Sequence, residues 1–186
     1  AIARFYDVNG RRLPREEAVI GIEDLGLLRG FGVFDFFRVN RGQGVFIDDY
    51  LTRFDRSARR LGLALPTDTA ALRRRIEDLV AANGQSEAAI QLVLTGGYSP
   101  DNYTPTDPNL LILQRRPPSY GPEYYEEGAR LLLHEHQREV PEIKTTNYLM
   151  GIHLLEKLKK TGALEPLYHS RGWVRETVRS NIFIVT

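Results

Sequence analysis

Three side chains have the types that covalent and charge-stabilising chemistry uses: Lys144 in Glu142-Ile-Lys-Thr-Thr-Asn147, Glu176 in Arg175-Glu-Thr-Val-Arg-Ser-Asn-Ile-Phe183, and Arg53 in Tyr50-Leu-Thr-Arg-Phe-Asp-Arg-Ser-Ala58. Lys144 precedes a predicted helix for which Thr145, Thr146 or Asn147 offers a cap. A cation near a helix amino terminus, and a buried one, is disfavoured, which raises the fraction of free amine that an imine-forming lysine needs. An ordinary surface lysine is the alternative reading. Glu176 enters an apolar strand and there needs a cationic partner: Arg175, Arg179 or a protonated heterocycle nitrogen. Arg53, between Leu51 and Phe54 of a predicted helix, either snorkels or turns its planar fork toward a phosphate.

Other chemistries are weakly signalled. His134 and His136 share one strand face without a third ligand near them, so packing or hydrogen bonding is the better reading. Gly30-Phe-Gly32 lacks the third glycine and the leading strand of a dinucleotide motif. Arginine pairs at 11 and 12, 59 and 60, and 115 and 116 lie among acids and form no nucleic-acid stripe. With 25 basic and 24 acidic residues the formal charge is +1, which gives no general attraction to polyanions or membrane surfaces. The 186 residues contain no cysteine, which removes disulfides, thiolate metal sites and cysteine nucleophiles from consideration. Apolar runs fall short of the ~20 residues needed to span a bilayer, and a soluble cytoplasmic protein is expected.

These residues must be held by a core, and the 42% hydrophobic content suffices for one. Phe36–Val39 and Gly44–Ile47 around Asn40-Arg41-Gly42 predict a hairpin. Asp48 or Asp49 should cap a helix carrying Leu51, Phe54, Ala58 and Leu61. A second helix follows Asp68, with Leu72, Ile76, Leu79 and Val80 inward, Gly84 as its stop and Arg73-Arg-Arg75 as a solvated face. Ala88–Leu94 and Asn109–Leu113 read as paired strands around a long Gly, Pro and Asp-rich loop. Arg115-Arg-Pro-Pro-Ser-Tyr-Gly-Pro122 reads as an interdomain connection. Beyond it a strand at 129–133, a helix at 147–160 with Leu149, Ile152, Leu155 and Leu158 inward, and a strand from Ser180 onward are expected. The chain ends inside that apolar run, and we expect the 186 residues to belong to a longer polypeptide.

Four blocks in order resemble the fold-type IV (class IV) pyridoxal-phosphate aminotransferases, the group of branched-chain aminotransferases, D-amino-acid aminotransferases and aminodeoxychorismate lyases. They are Asp24-Leu-Gly-Leu-Leu-Arg-Gly-Phe-Gly-Val-Phe-Asp35, Tyr50–Ala58, Pro141–Asn147 and Arg175–Phe183. The resemblance implies an α+β chain: a small N-terminal α/β domain at 1–116, a connection at 117–122, and at 123–186 the first part of a larger, barrel-like mixed α/β domain, incomplete at its C-terminus. It implies pyridoxal 5′-phosphate as cofactor, with Lys144 forming the internal aldimine and shuttling the proton. Glu176 would sit on the pyridine nitrogen, Arg53 on the phosphate and Tyr148 on the phenolic oxygen.

The loop after Thr95 carries Asp101 and Tyr103 where bacterial D-amino-acid enzymes have an arginine and a histidine, and Phe34 replaces a tyrosine of that carboxylate-binding set. Arg29, Arg38 and Arg179 remain near the expected pocket as substrate-binding residues, Arg29 weighted above Arg179. The resemblance implies transfer of an amino group between a D-amino acid and a 2-oxo acid, with a branched-chain L-amino-acid transaminase and then an aminodeoxychorismate lyase as alternatives. A homodimer is implied, with no nucleic-acid, membrane or metal partner. A non-catalytic binding module is the contrasting class.

Overall fold

Residues 3–186 are described by a computed structural model, and they fall into two units, one running to Pro118 and taking in Glu142–Asn147, the other made of Ser119–Pro141 and Tyr148–Thr186. The first unit is built on β1 (Phe5–Val8), β2 (Arg11–Pro14), a short helix α1 (Leu25–Arg29), β3 (Gly32–Asn40), β4 (Gln43–Gly44), α2 (Ile47–Arg60), α3 (Thr69–Asn83), β5 (Ala88–Thr95) and β6 (Leu110–Arg115). Its strands make one antiparallel sheet in the order β2-β1-β6-β5-β3-β4.

Alternation along β3 sets that sheet's buried side. Val33, Asp35, Phe37 and Val39 are buried, and α2 packs on this strand through Ile47, Leu51, Phe54 and Ala58. The predicted hairpin forms with Arg41 and Gly42, both at positive φ (50° and 76°), as its two-residue turn, but its second strand is Gln43–Gly44 and not the expected Gly44–Ile47. The helix after it begins at Ile47, one residue before the expected caps: Phe46 occupies the capping position in a left-handed conformation, and Asp48 and Asp49 lie in the first turn. α3 follows the sequence closely. Asp68 accepts from the Ala71 N–H at 2.7 Å, Leu72, Ile76, Leu79 and Val80 are buried, and Gly84 ends the helix at φ 65°. Its arginine run departs from a purely solvated face, because Arg75 turns inward to pair with the buried Asp7.

The second unit contains α4 (Glu123–Glu126), β7 (Leu131–Glu135), α5 (Leu149–His153), α6 (Leu155–Thr161), β8 (Glu165–Ser170) and β9 (Trp173–Thr177). β7 pairs parallel with β8, and β8 antiparallel with β9, with an irregularity at Tyr168/His169. The expected single helix at 147–160 is two short ones, broken at Leu154, and its inward face is displaced. Leu149, Ile152 and Leu155 are exposed, whereas Leu154 and Leu158 are buried and Met150 is half-buried. The side chains at 150 and 154 pack with Tyr148 on Tyr168 and Val178. Gly151 permits that phase, since a Cβ there would lie 2.7 Å from the Val178 side chain. The strand expected from Ser180 onward is absent: residues 181–186 have no regular structure, and Phe183, Ile184 and Val185 are exposed. The chain turns out of β9 at Thr177, whose hydroxyl accepts from the Ser180 N–H at 3.0 Å. Among the described residues no helix is long and apolar enough to cross a membrane.

The first unit is knitted at one end of its sheet by Asp24, which is fully buried. Its carboxylate accepts from Gly26 N–H, the Thr95 hydroxyl and the Asn109 amide, each at 2.7 Å, so one side chain fixes α1 to the ends of β5 and β6. Asp24→Ala strands two buried donors, and urea unfolding should show a loss on the order of 3 kcal/mol. A loss below about 0.5 kcal/mol, the range of ordinary surface substitutions, would show that this network carries little stability.

Candidate active site

Lys144 lies in an extended segment that completes the outer edge of β3. Phe34 N–H donates to the Lys144 carbonyl at 2.9 Å, Thr146 N–H to Gly32 O at 3.0 Å, and Val33 bridges Thr145. The Thr146 hydroxyl adds a bond to Gly30 O at 2.8 Å. This pairing needs a bare Gly32, where an added Cβ would meet Leu94 O at 2.6 Å and approach the Thr146 hydroxyl. Ile143, next in line, is buried and anchors the segment. The Lys144 ammonium rests 4.8 Å from the centroid of the Phe34 ring, so the same residue holds the lysine by main chain and by a cation–π contact. The expected helix cap is absent: the next helix starts at Leu149 with no side-chain cap bond.

Arg53 projects from α2 to the buried Asp35 of β3. Its Nε meets Oδ2 at 2.9 Å and its Nη2 meets Oδ1 at 2.5 Å, a bidentate pair. Hydrogen bonding to Asp35 raises the Arg53 pKa above its ordinary value, with burial acting against it. The guanidinium also lies 4.9 Å from the Tyr50 ring centroid, and the side chain stays 43% exposed, leaving one edge of the fork open.

The two first-unit arginines expected at the substrate, Arg29 and Arg38, are engaged at the main chain. Arg29 donates from Nε to Asn102 O at 3.0 Å and from Nη1 to Leu28 O at 3.2 Å, and Arg38 donates from Nη2 to Pro118 O at 2.7 Å. Arg29 thereby pins the loop that contains Asp101 and Tyr103. Asp101 is the centre of that loop, accepting from the Ser99 hydroxyl (2.8 Å), Tyr103 N–H (2.9 Å), Thr104 N–H (2.7 Å) and the Thr104 hydroxyl (2.7 Å). Tyr103 is exposed.

In the second unit Glu176 is the penultimate residue of β9, not the first residue of a strand. Its partner is neither Arg175 nor Arg179. Arg138 forms an ion pair with Glu176, Nε to Oε1 at 3.2 Å, lies 4.6 Å over the Tyr148 ring and donates from Nη2 to Val178 O at 3.3 Å. Tyr148 and Glu176 are thus gathered around one largely buried guanidinium. Arg179 is exposed at its side chain, while its main-chain N–H donates to the buried Glu165 carboxylate at 2.9 Å. His134 and His136 pack around Tyr168, with ring centroids 6.2 and 4.8 Å from it, and burial together with neighbouring cations lowers the His134 pKa. No metal-binding cluster exists among the described residues.

Sequence reasoning missed Asp35 and Arg138. Asp35 carried a signal, being a lone carboxylate in the apolar run Val33–Phe37, which demands a cation. Arg138 carried none, because nothing in its neighbourhood marks it from the exposed arginines.

The family model for amino-transferase class IV matches residues 32–186. The chain is 28% identical over 185 residues to a D-alanine aminotransferase of Listeria monocytogenes, covering 96% of this chain and 64% of that protein. Among solved structures, it superposes on the Escherichia coli branched-chain amino acid aminotransferase with a TM-score of 0.84 at 18% identity, covering 95% of this chain and 63% of that one. The 4-amino-4-deoxychorismate lyase of Pseudomonas aeruginosa gives a TM-score of 0.78 at 27% identity, covering 95% and 65%. The chain therefore spans about 64% of the length of the curated relatives it matches.

The Asp101 clasp makes the loop pH-sensitive in one direction. Four donors hold this carboxyl below its ordinary pKa of 3.8. The ordering it provides is therefore complete above that value and lost as pH falls further. Hydrogen exchange at the Tyr103 and Thr104 amides should stay protected from neutral pH down to about 4, and Asp101→Asn should expose both amides at neutral pH. Equal protection in variant and parent would show that the loop is held by other contacts.

Proposed function

The chain belongs to the class IV amino-transferases, and on that premise we propose that it exchanges an amino group between a D-amino acid and a 2-oxo acid with pyridoxal 5′-phosphate as its cofactor. The observation that carries the reading is Lys144, locked by its main chain to β3 with its amine over Phe34. A lysine so fixed loses little further freedom on attachment to a carbonyl.

The donor set fits the cofactor. A primary amine, an arginine with an open edge for a phosphate, and a partly exposed carboxylate for a pyridine N–H are all present, and Glu176 Oε2 is in no described bond. Bound pyridoxal phosphate supplies an electron sink for a carbanion at the substrate Cα. Lys144 would hold the cofactor and, when displaced by substrate, take the Cα proton and return it on the other side of the transfer. Glu176, ion-paired with Arg138, would hold a proton on the ring nitrogen. Arg53 would bind the phosphate through its open edge. Tyr148, its ring face against Arg138, would present its hydroxyl to the phenolic oxygen.

For the substrate carboxylate we propose Arg29 and Arg179, with Arg38 and Phe34 lining the pocket. Asp101 is excluded by charge and by its four donors from the loop itself. Arg29 retains Nη2 beyond its bonds to the Asn102 and Leu28 carbonyls. The D preference is supported by the D-alanine aminotransferase relative, which aligns over nearly the whole chain. A branched-chain L-amino-acid transaminase and an aminodeoxychorismate lyase would use the same cofactor residues. We further propose a cytoplasmic homodimer; the exposed apolar side chains Val19, Ile22 and Leu27, in and just before α1, support the second copy.

Borohydride reduction of the protein with pyridoxal phosphate, followed by peptide mapping, should label Lys144, and Lys144→Ala should lose both the label and amino transfer. No label on Lys144 in the parent would overturn the reading. Glu176→Gln should still bind the cofactor but slow the half-reaction by about 10²-fold, since an amide cannot sustain the ring proton against a growing carbanion. An unchanged single-turnover rate would reduce Glu176 to an ion-pair partner of Arg138. A panel of D- and L-amino acids against 2-oxoglutarate and pyruvate decides handedness, with D-amino acids expected to react.

A further inference from the structure

We infer that Asp35 is the positioning residue of the phosphate site, holding Arg53 so that the guanidinium presents its uncommitted edge to the phosphate group of a bound pyridoxal phosphate. The inference rests on the proposed role of Arg53 and adds to it a residue that the sequence blocks did not single out. Asp35 is only 1% exposed, and its one cationic partner among the described residues is Arg53. Both oxygens are used: Oδ2 accepts from Arg53 Nε, and Oδ1 accepts from Arg53 Nη2 and from the Phe36 N–H at 2.7 Å. The Phe36 bond is informative. It lies on the outer edge of β3, between the stretch paired with the Lys144 segment and the stretch paired with β4. There the strand has no paired neighbour among the described residues, and the carboxylate supplies the acceptor.

Two opposed effects follow for an anion approaching Arg53. The negative charge of Asp35 cancels part of the attraction. The bidentate fork also fixes the orientation of a long, rotamer-rich side chain, so that less freedom is lost when a phosphate binds. The pair is half exposed at the arginine, where solvent screens the charge cancellation. Orientation is not screened in this way, and it decides the sign: removing the carboxylate weakens phosphate binding. Phe34, the neighbouring residue, carries the Lys144 contacts, so consecutive residues of one strand register the amine and the guanidinium.

The test is equilibrium titration of the apo-protein with pyridoxal phosphate and, separately, with pyridoxal, which lacks the phosphate, for the parent, Asp35→Asn, Arg53→Ala and the double variant. Asp35→Asn preserves shape and one acceptor, and circular dichroism and Tm establish that each variant is folded. If Asp35→Asn does not fold, Asp35→Glu, which keeps the charge but shifts the fork, takes its place with the same expectation. The Kd for pyridoxal phosphate should rise about tenfold or more, the scale of one hydrogen bond to a charged group, while that for pyridoxal changes less than about twofold. The double variant should bind no worse than Arg53→Ala alone, because the carboxylate acts through the arginine. Unchanged or tighter binding of pyridoxal phosphate by the position-35 variant, or an equal loss for pyridoxal, would overturn the inference while leaving the transaminase reading intact. Failure of the parent to bind either compound would overturn both.

Discussion

A strand buried in a sheet must satisfy the N–H and C=O groups on both of its edges, and the outer edge of β3 is where the first unit meets that constraint. β5 takes the inner edge from Gly32 to Val39. The outer edge is divided among three partners: the Thr145 segment at one end, the Asp35 carboxylate in the middle and β4 at the other end. Lys144 is held because the edge needs a strand there. Arg53 is held because the carboxylate that fills the gap is buried and needs a cation. The candidate chemistry of this unit therefore follows from backbone hydrogen bonding before any question of substrate arises.

Buried carboxylates recur as organisers. Asp24 is satisfied by three neutral donors, Asp7 by the Arg75 guanidinium, Asp35 by Arg53, and Glu165 by the Arg179 N–H and the Ser180 hydroxyl. Each joins segments distant in sequence, and each would be costly if left unpaired. The difference in partner matters for function. Asp24 and Glu165 face only neutral groups and act as knots in the chain. Asp35 faces an arginine that remains partly open to solvent, and a paired cation with an open edge can still recruit an anion.

The second unit applies the same logic with a cation at the centre. Arg138 takes Glu176, the face of Tyr148 and the Val178 carbonyl, and so ties β9, the turn after it and the start of α5 together. A carboxylate that pairs through one oxygen with a held guanidinium keeps its second oxygen for another donor. The class IV relatives that this chain matches are longer than it, the chain spanning 64% of the Listeria monocytogenes protein.

The sequence by itself determined whatever is encoded over a few residues. The spacing of Leu72, Ile76, Leu79 and Val80 with Asp68 before and Gly84 after made α3, the turn residues around Arg41-Gly42 made the hairpin, and the types of Lys144, Arg53 and Glu176 marked them as candidates for chemistry. Tertiary structure decided who meets whom. Only the fold put residues 142–147 against β3, gave Arg53 to Asp35 and Glu176 to Arg138, and, while keeping Leu158 buried as expected, replaced Leu149, Ile152 and Leu155 on the inward face of α5 and α6 by Met150 and Leu154. In those short helices a leucine-rich stretch offers more than one apolar face, and packing on Tyr168 and Val178 selects among them. The physical reason is common to all four cases. Periodicity specifies that a face or a charge must be buried, but the partner that buries it is chosen by contacts between distant segments, which no local pattern records.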